Sequence, residues 1–181
     1  MRNQISNSVH KFLSFFFLLI SAVTQAQDEI PQNYFIKPLK IPTVLAGSFG
    51  ELRSNHFHSG LDIKTQGRTG LDVVASASGY VSRIKISHYG YGKALYITHP
   101  NGYVTVYGHL DSFAGGIKEY VKAKQYEAES YEIELFPNPD ELTVTQGQLV
   151  AYSGNTGSSG GPHVHFEIRD KNERPMNAQL F

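Results

Sequence analysis

Gly161-Pro162-His163-Val164-His165-Phe166-Glu167 is the stretch from which the rest of the chain is best read. The alternation after Pro162 is that of a β-strand. On a strand, side chains at i and i+2 share a face, so His163 and His165 point into one cleft. Two imidazoles on one face are costly to bury unless each finds a partner, which marks a site rather than a core. Far upstream stands His58-Ser59-Gly60-Leu61-Asp62. Imidazole and carboxylate are standard zinc ligands, and a catalytic zinc takes three protein ligands and keeps one position open. His58, Asp62 and one of the two late histidines supply that count. The other late histidine, together with His109, is left for proton transfer.

The spacing of His58 and Asp62 allows convergence in two ways. An extended segment puts both on one face, and a tight turn at Ser59-Gly60 brings them together as well. His56 forms a second His-x-His with His58 and is a rival ligand, but it lacks the Gly60 and Asp62 that come after His58. His88 and His99 sit beside turn residues and read as solvent-exposed loop histidines. Tyr107-Gly108-His109-Leu110 closes a strong strand run, placing the His109 imidazole at a strand end. The loop Ser153 to Gly161 is rich in glycine and small polar residues. It lacks the Lys-Ser/Thr and the helix start of a phosphate cradle, and is expected to wall a groove that a substrate backbone approaches closely.

Working outward, strand runs rich in Val, Ile, Tyr and Thr are expected at Leu71–Ser76, Tyr80–Ser87, Lys93–His99, Gly102–Tyr107, Gln148–Ser153 and Val164–Arg169. In the second of these, Ser82, Ile84 and Ile86 alternate with Val81, Arg83 and Lys85. Pro100-Asn101-Gly102 is a hairpin signal, because Asn-Gly accepts positive φ. Gly116–Ser130 carries Ile117, Tyr120, Val121 and Tyr126 at roughly helical spacing, and a strand is expected at Tyr131–Leu135. The expected fold is mainly β, an antiparallel sheet with one short helical insertion.

The first 26 of the 181 residues read as a signal peptide. Arg2 and Lys11 make the basic region, Phe12–Val23 is a short apolar run, and Thr24-Gln25-Ala26 suits cleavage before Gln27. The apolar run is short for a spanning helix, which needs roughly 20 residues. No stable membrane insertion is therefore expected after cleavage, and the product is expected to be exported. Residues 27–41 form an extended, proline-containing leader. With two basic residues and no acidic ones in the signal region, the mature chain carries two more acidic than basic side chains. Nothing in that balance seeks nucleic acid. The absence of cysteine removes disulfides, thiolate nucleophiles and Cys-type zinc sites together.

Four ordered motifs, His58-Ser59-Gly60-Leu61-Asp62, Tyr107-Gly108-His109-Leu110, Ser153-Gly154-Asn155-Thr156-Gly157 and Gly161 to Glu167, resemble those of the M23 peptidases, the lysostaphin- or LytM-type zinc endopeptidases. The resemblance covers roughly residues 42–181. It implies a sheet with a groove across its face, one zinc per chain on His58, Asp62 and His165, and catalytic roles for His109 and His163. It also implies a peptidoglycan peptide substrate, cut in stem cross-links or bridge peptides by a metal-activated water. A periplasmic, cell-envelope or secreted location comes with the same reading. Degenerate members of the family act instead as non-catalytic wall-binding or amidase-activator modules. The stretch from about residue 113 to 143 is longer than the family core needs and reads as an insertion able to border the groove. The bond cleaved, the division of labour between His109 and His163 and the oligomeric state are left open by the sequence.

Overall fold

Branched and aromatic residues recur in short runs after Val44, and such side chains pack well on a pleated surface. The computed structural model describes residues 30–181, so the expected signal peptide lies outside the described residues. The runs form eleven strands: β1 Leu45–Gly47, β2 Leu61–Lys64, β3 Asp72–Val74, β4 Gly79–Ile86, β5 Lys93–Thr98, β6 Val104–Phe113, β7 Ile133–Leu135, β8 Thr143–Val144, β9 Leu149–Ser153, β10 His163–Arg169 and β11 Pro175–Met176. Among the described residues one α-helix, α1 (Gly115–Glu127), comes after β6.

The strands make one sheet, whose main path runs β1-β2-β10-β6-β5-β4-β7. β9 pairs with β6 and carries β3, while β8 and β11 attach to β4 and β10. Every pairing is antiparallel. The fold is thus the antiparallel, mainly β architecture that the sequence led us to expect.

The larger part of the core lies on one face of this sheet, and Ala94, Tyr96, Val104 and Val106 form a second, smaller cluster. Leu61, Ile63, Val164, Phe166 and Ile168 of β2 and β10 turn inward to Ile84, Leu95, Ile97 and Tyr107. Their neighbours Asp62, His163 and His165 therefore project from the opposite face, as strand alternation demands. The stretch before Ile41 is tied into the same packed unit. The Ile36 amide donates to Ser76 O (2.8 Å), the Val74 amide donates to Pro38 O (2.9 Å), and Leu39 is buried. This stretch edges an apolar cavity of about 290 Å³ beside Leu61, Phe166 and Phe181, on the face away from His163 and His165.

Several expectations required correction. Val81 does not oppose Ile84 and Ile86: all three are buried, because a register shift between Val81 and Arg83 rotates the strand by one residue. Such a bulge inserts one residue without a partner and flips the phase of the strand beyond it. His99 is buried rather than solvent-exposed, with only 3% of its surface accessible. Its Nδ1 donates to Ser78 O (2.9 Å) and its Nε2 accepts from the Thr105 hydroxyl (2.9 Å). With both nitrogens satisfied, a neutral imidazole can be buried at little cost. β6 runs on to Phe113 instead of stopping at Tyr107, so His109 lies within a strand and not at its end.

Helix α1 is close to its expected span. Ile117 and Val121, four residues apart, are its buried pair, and they anchor it on β6 and β9. Tyr126 points to solvent.

Candidate metal centre

The pairing of β2 with β10 builds the centre of the site. Asp62 stands directly opposite His165, and on the other side His165 faces Gly108 of β6. His58 arrives through the turn at Ser59-Gly60, the second of the two routes the spacing allowed. That turn presses against β10: a Cβ on Gly60 would lie 2.4 Å from Phe166 O and 2.8 Å from Glu167 Cγ. Only glycine permits this approach.

Three ligand-type atoms meet at one point. His58 Nε2 is 3.0 Å from Asp62 Oδ1 and 3.0 Å from His165 Nδ1, and His165 Nδ1 is 3.0 Å from the same Asp62 oxygen. The other nitrogen of each ring is already committed. His58 Nδ1 lies 2.8 Å from Ser48 O, and a carbonyl can only accept, so that nitrogen carries the proton. His165 Nε2 lies 2.8 Å from the Glu167 carboxylate and donates to it. When both rings are neutral, two bare imidazole lone pairs and a carboxylate oxygen therefore face one another. Such a donor set repels itself unless a cation or a proton lies between, and its chemistry fits zinc. These three residues could hold a metal ion.

Asp62 is steadied from its other oxygen. Arg53 Nη2 donates to Oδ2 at 3.0 Å and also reaches Glu51 at 2.9 Å. Burial raises the Asp62 carboxyl, but the hydrogen bonds that His163 and His165 donate when doubly protonated, together with the nearby His58, outweigh it and hold it well below the usual range. Burial opposes charging of His163 and His165, yet the same carboxylate leaves both raised.

His163 and His109 complete the cleft. His163 Nδ1 donates to Gly161 O (2.8 Å), and its Nε2 is 3.4 Å from Asp62 Oδ1. His109 Nδ1 donates to Thr156 O (2.8 Å), and burial pushes the His109 imidazole down to about 4. The two rings lie 4.6 Å apart. His109 has φ +58°, a conformation uncommon outside glycine. It sits where β6 leaves β10 after Gly108 and takes up β9 at Leu110. The backbone kink at this crossover aims the ring into the cleft.

The cleft encloses about 300 Å³. Arg53 and His56 form one wall, Gly90 and Tyr91 another, and Ser158 to Gly160 a third. All five histidines and aspartates singled out from sequence, His58, Asp62, His109, His163 and His165, line it. His56 also lines it but bonds Asn55 (2.6 Å) and stands outside the three-atom cluster. His88 is exposed and pairs with Glu132 (2.7 Å). No residue of 113–143 lines the cleft. Sequence reasoning missed Arg53, Tyr91 and the role of Glu167. Only Glu167 carried a signal, through its place at i+2 from His165.

Comparison with known proteins fits this geometry. The profile described as "Peptidase family M23" matches residues 56–132 and 139–178. A Neisseria meningitidis protein named DD-carboxypeptidase/endopeptidase Mpg is 32% identical over 150 residues, 80% of this chain and 28% of its own length. A Haemophilus influenzae protein described as an uncharacterized metalloprotease is 33% identical over 125 residues, 68% of this chain and 21% of its own. This chain thus spans between about a fifth and little more than a quarter of these curated relatives. Among solved structures, a zinc-containing peptidase from Vibrio cholerae superposes with a TM-score of 0.57 at 26% identity, covering 78% of this chain and 37% of that one. Fold, ordered motifs and profile agree, and the chain belongs to peptidase family M23.

Proposed function

We propose that this protein is a zinc-dependent endopeptidase that hydrolyses peptide bonds of bacterial peptidoglycan in the cell envelope. One observation carries the reading: three lone-pair donors on His58, Asp62 and His165 converge beside two further imidazoles in one cleft. The relatives named as a metalloprotease and as a DD-carboxypeptidase/endopeptidase support it.

In this reading His58, Asp62 and His165 hold one zinc. Bound there, zinc would supply Lewis acidity and would lower the pKa of water from about 15.7 to about 7. Burial keeps His109 neutral, which fits it to accept the proton of the attacking water. His163, whose Nε2 faces Asp62 and whose imidazole that carboxylate raises toward its doubly protonated form, fits the Nε2–H donor that stabilises the developing oxyanion. The proton taken by His109 then passes to the leaving amine, and peptide and water are converted to a carboxylic acid and an amine. The loop Ser158 to Gly160 leaves room for an extended peptide backbone.

Digestion of purified peptidoglycan, with and without a chelator, tests this reading. Mass analysis is expected to find fragments from hydrolysed peptide bonds, lost on chelation and restored by added zinc. Stoichiometric zinc with no fragments would instead favour a wall-binding or activator module. Release indifferent to chelation would sink the metal mechanism.

A further inference from the structure

Five imidazoles line the cleft, and of the four other than His56 three are oriented in the same way. His58, His109 and His163 each donate Nδ1–H to a backbone carbonyl, those of Ser48, Thr156 and Gly161. His165 is the exception. Its Nε2 faces a carboxylate, Glu167 Oε1, at 2.8 Å, and its Nδ1 faces Asp62 and His58.

Glu167 is fully buried, with none of its surface accessible. A carboxylate in that position needs donors on both oxygens, and it has them. Oε2 accepts from Arg169 Nε at 2.6 Å. Oε1 accepts from His165, from the Ser59 hydroxyl at 2.6 Å and from the Tyr91 hydroxyl. Arg169 alone would suffice to neutralise a structural carboxylate, yet Oε1 is given over wholly to groups of the site. Ser59 adjoins His58. The Tyr91 ring stacks on the His165 ring at 4.7 Å and 24°, and Tyr91 O accepts the His109 amide at 2.8 Å. One carboxylate oxygen thus ties together the His58 turn, β10 and the loop that braces His109. The close approach of Gly60 makes this possible, since a Cβ there would strike Glu167 Cγ at 2.8 Å.

We propose that Glu167 is the positioning residue of the metal site. By accepting Nε2–H it fixes the His165 tautomer with a bare Nδ1, and it locks the ring in the plane that faces Asp62 and His58. A carboxylate behind a ligating imidazole also raises the basicity of that ligand. The proposal rests on the reading of His165 as a metal ligand, but its first test needs no metal.

Nitrogen-15 NMR of the metal-free protein, at a pH where His165 is neutral, is expected to show its proton on Nε2. Glu167→Met removes the acceptor and is expected to mix the tautomers and weaken zinc affinity roughly 10–100-fold, measured by competition with a chromogenic chelator. Glu167→Gln keeps an acceptor oxygen and is expected to recover part of that loss. Ser59→Ala and Tyr91→Phe, which leave the Glu167–His165 bond intact, should change zinc affinity much less. A structural role alone would lower thermal stability without moving the tautomer. Zinc binding by Glu167→Met as tight as that of the wild type, or a wild-type His165 protonated on Nδ1, would overturn the proposal. If the variants fail to fold, the wild-type tautomer decides. A wild-type chain that shows the expected tautomer but binds no zinc would overturn the proposed function and leave the Glu167–His165 coupling standing.

Discussion

His58, Asp62 and His165 crowd three electron-pair donors to within 3.0 Å of one another, so removing any one should cost the site its cation. His58→Ala and Asp62→Ala are each expected to abolish stoichiometric zinc, as metal analysis of the purified protein would show. His109 lies outside that trio, and its Nδ1 is bonded to Thr156 O. His109→Ala should therefore retain zinc while slowing peptidoglycan hydrolysis on the order of 10²–10⁴-fold. Full activity in that variant would remove His109 from the mechanism. At this scale the sequence was informative where chemistry depends on short spacing. The His163/His165 pair is legible because strand alternation needs only neighbours. Arg53 and Tyr91 were not, since their partners lie on other strands and loops and nothing in their local sequence announces those contacts. His99 was misread for a related reason: its burial depends on Ser78 and Thr105, not on the turn residues beside it.

Strands β4, β5, β9 and β10 were legible as runs, and each is at least five residues long. β1, β8 and β11 have two or three residues, too few for periodicity to declare itself, whereas the equally short β3 and β7 fall inside the longer runs Leu71–Ser76 and Tyr131–Leu135. The bulge after Val81 and the kink at His109 also escaped, because both are register events fixed by partner strands. Helix α1 was legible from its helical spacing, yet its place was not. It was expected to be able to border the groove, but it rests on β6 and β9 through Ile117 and Val121 and contributes nothing to the cleft lining. Stability and site should therefore separate here. Ile117→Ala is expected to cost about 2–5 kcal/mol in denaturant unfolding, with zinc affinity unchanged. A parallel loss of metal would show that the helix braces the site after all.

For the molecule as a whole, the buried imidazole of His99 links stability to pH. Burial, only partly offset by the bond to Ser78, pushes it below its ordinary value near 6.5. Between that lowered value and 6.5 the unfolded chain binds a proton that the folded chain refuses. Stability should therefore fall as pH drops through and below about 6.5. In the metal-free chain His163 and His165, with raised values, act in the opposite sense, so the comparison must isolate His99. Thermal unfolding of His99→Gln, run beside the wild type from about pH 7.5 to about pH 5.5 in chelator, should show a shallower acid loss. Equal slopes would mean that His99 is not the sensor.

Two walls of the cleft are joined backbone to backbone. A Cβ on Gly157 would lie 2.3 Å from Gly90 O, and one on Gly92 would lie 2.4 Å from Gly157 N. The Ser158 amide donates to Gly90 O at 2.8 Å, and Thr156 Oγ1 accepts the Lys93 amide at 3.0 Å. These loops cannot part to admit a bulky chain without breaking several bonds at once. The aperture on that side behaves as a rigid slot. Under the proposed function, a substrate would have to fit between these loops as they stand.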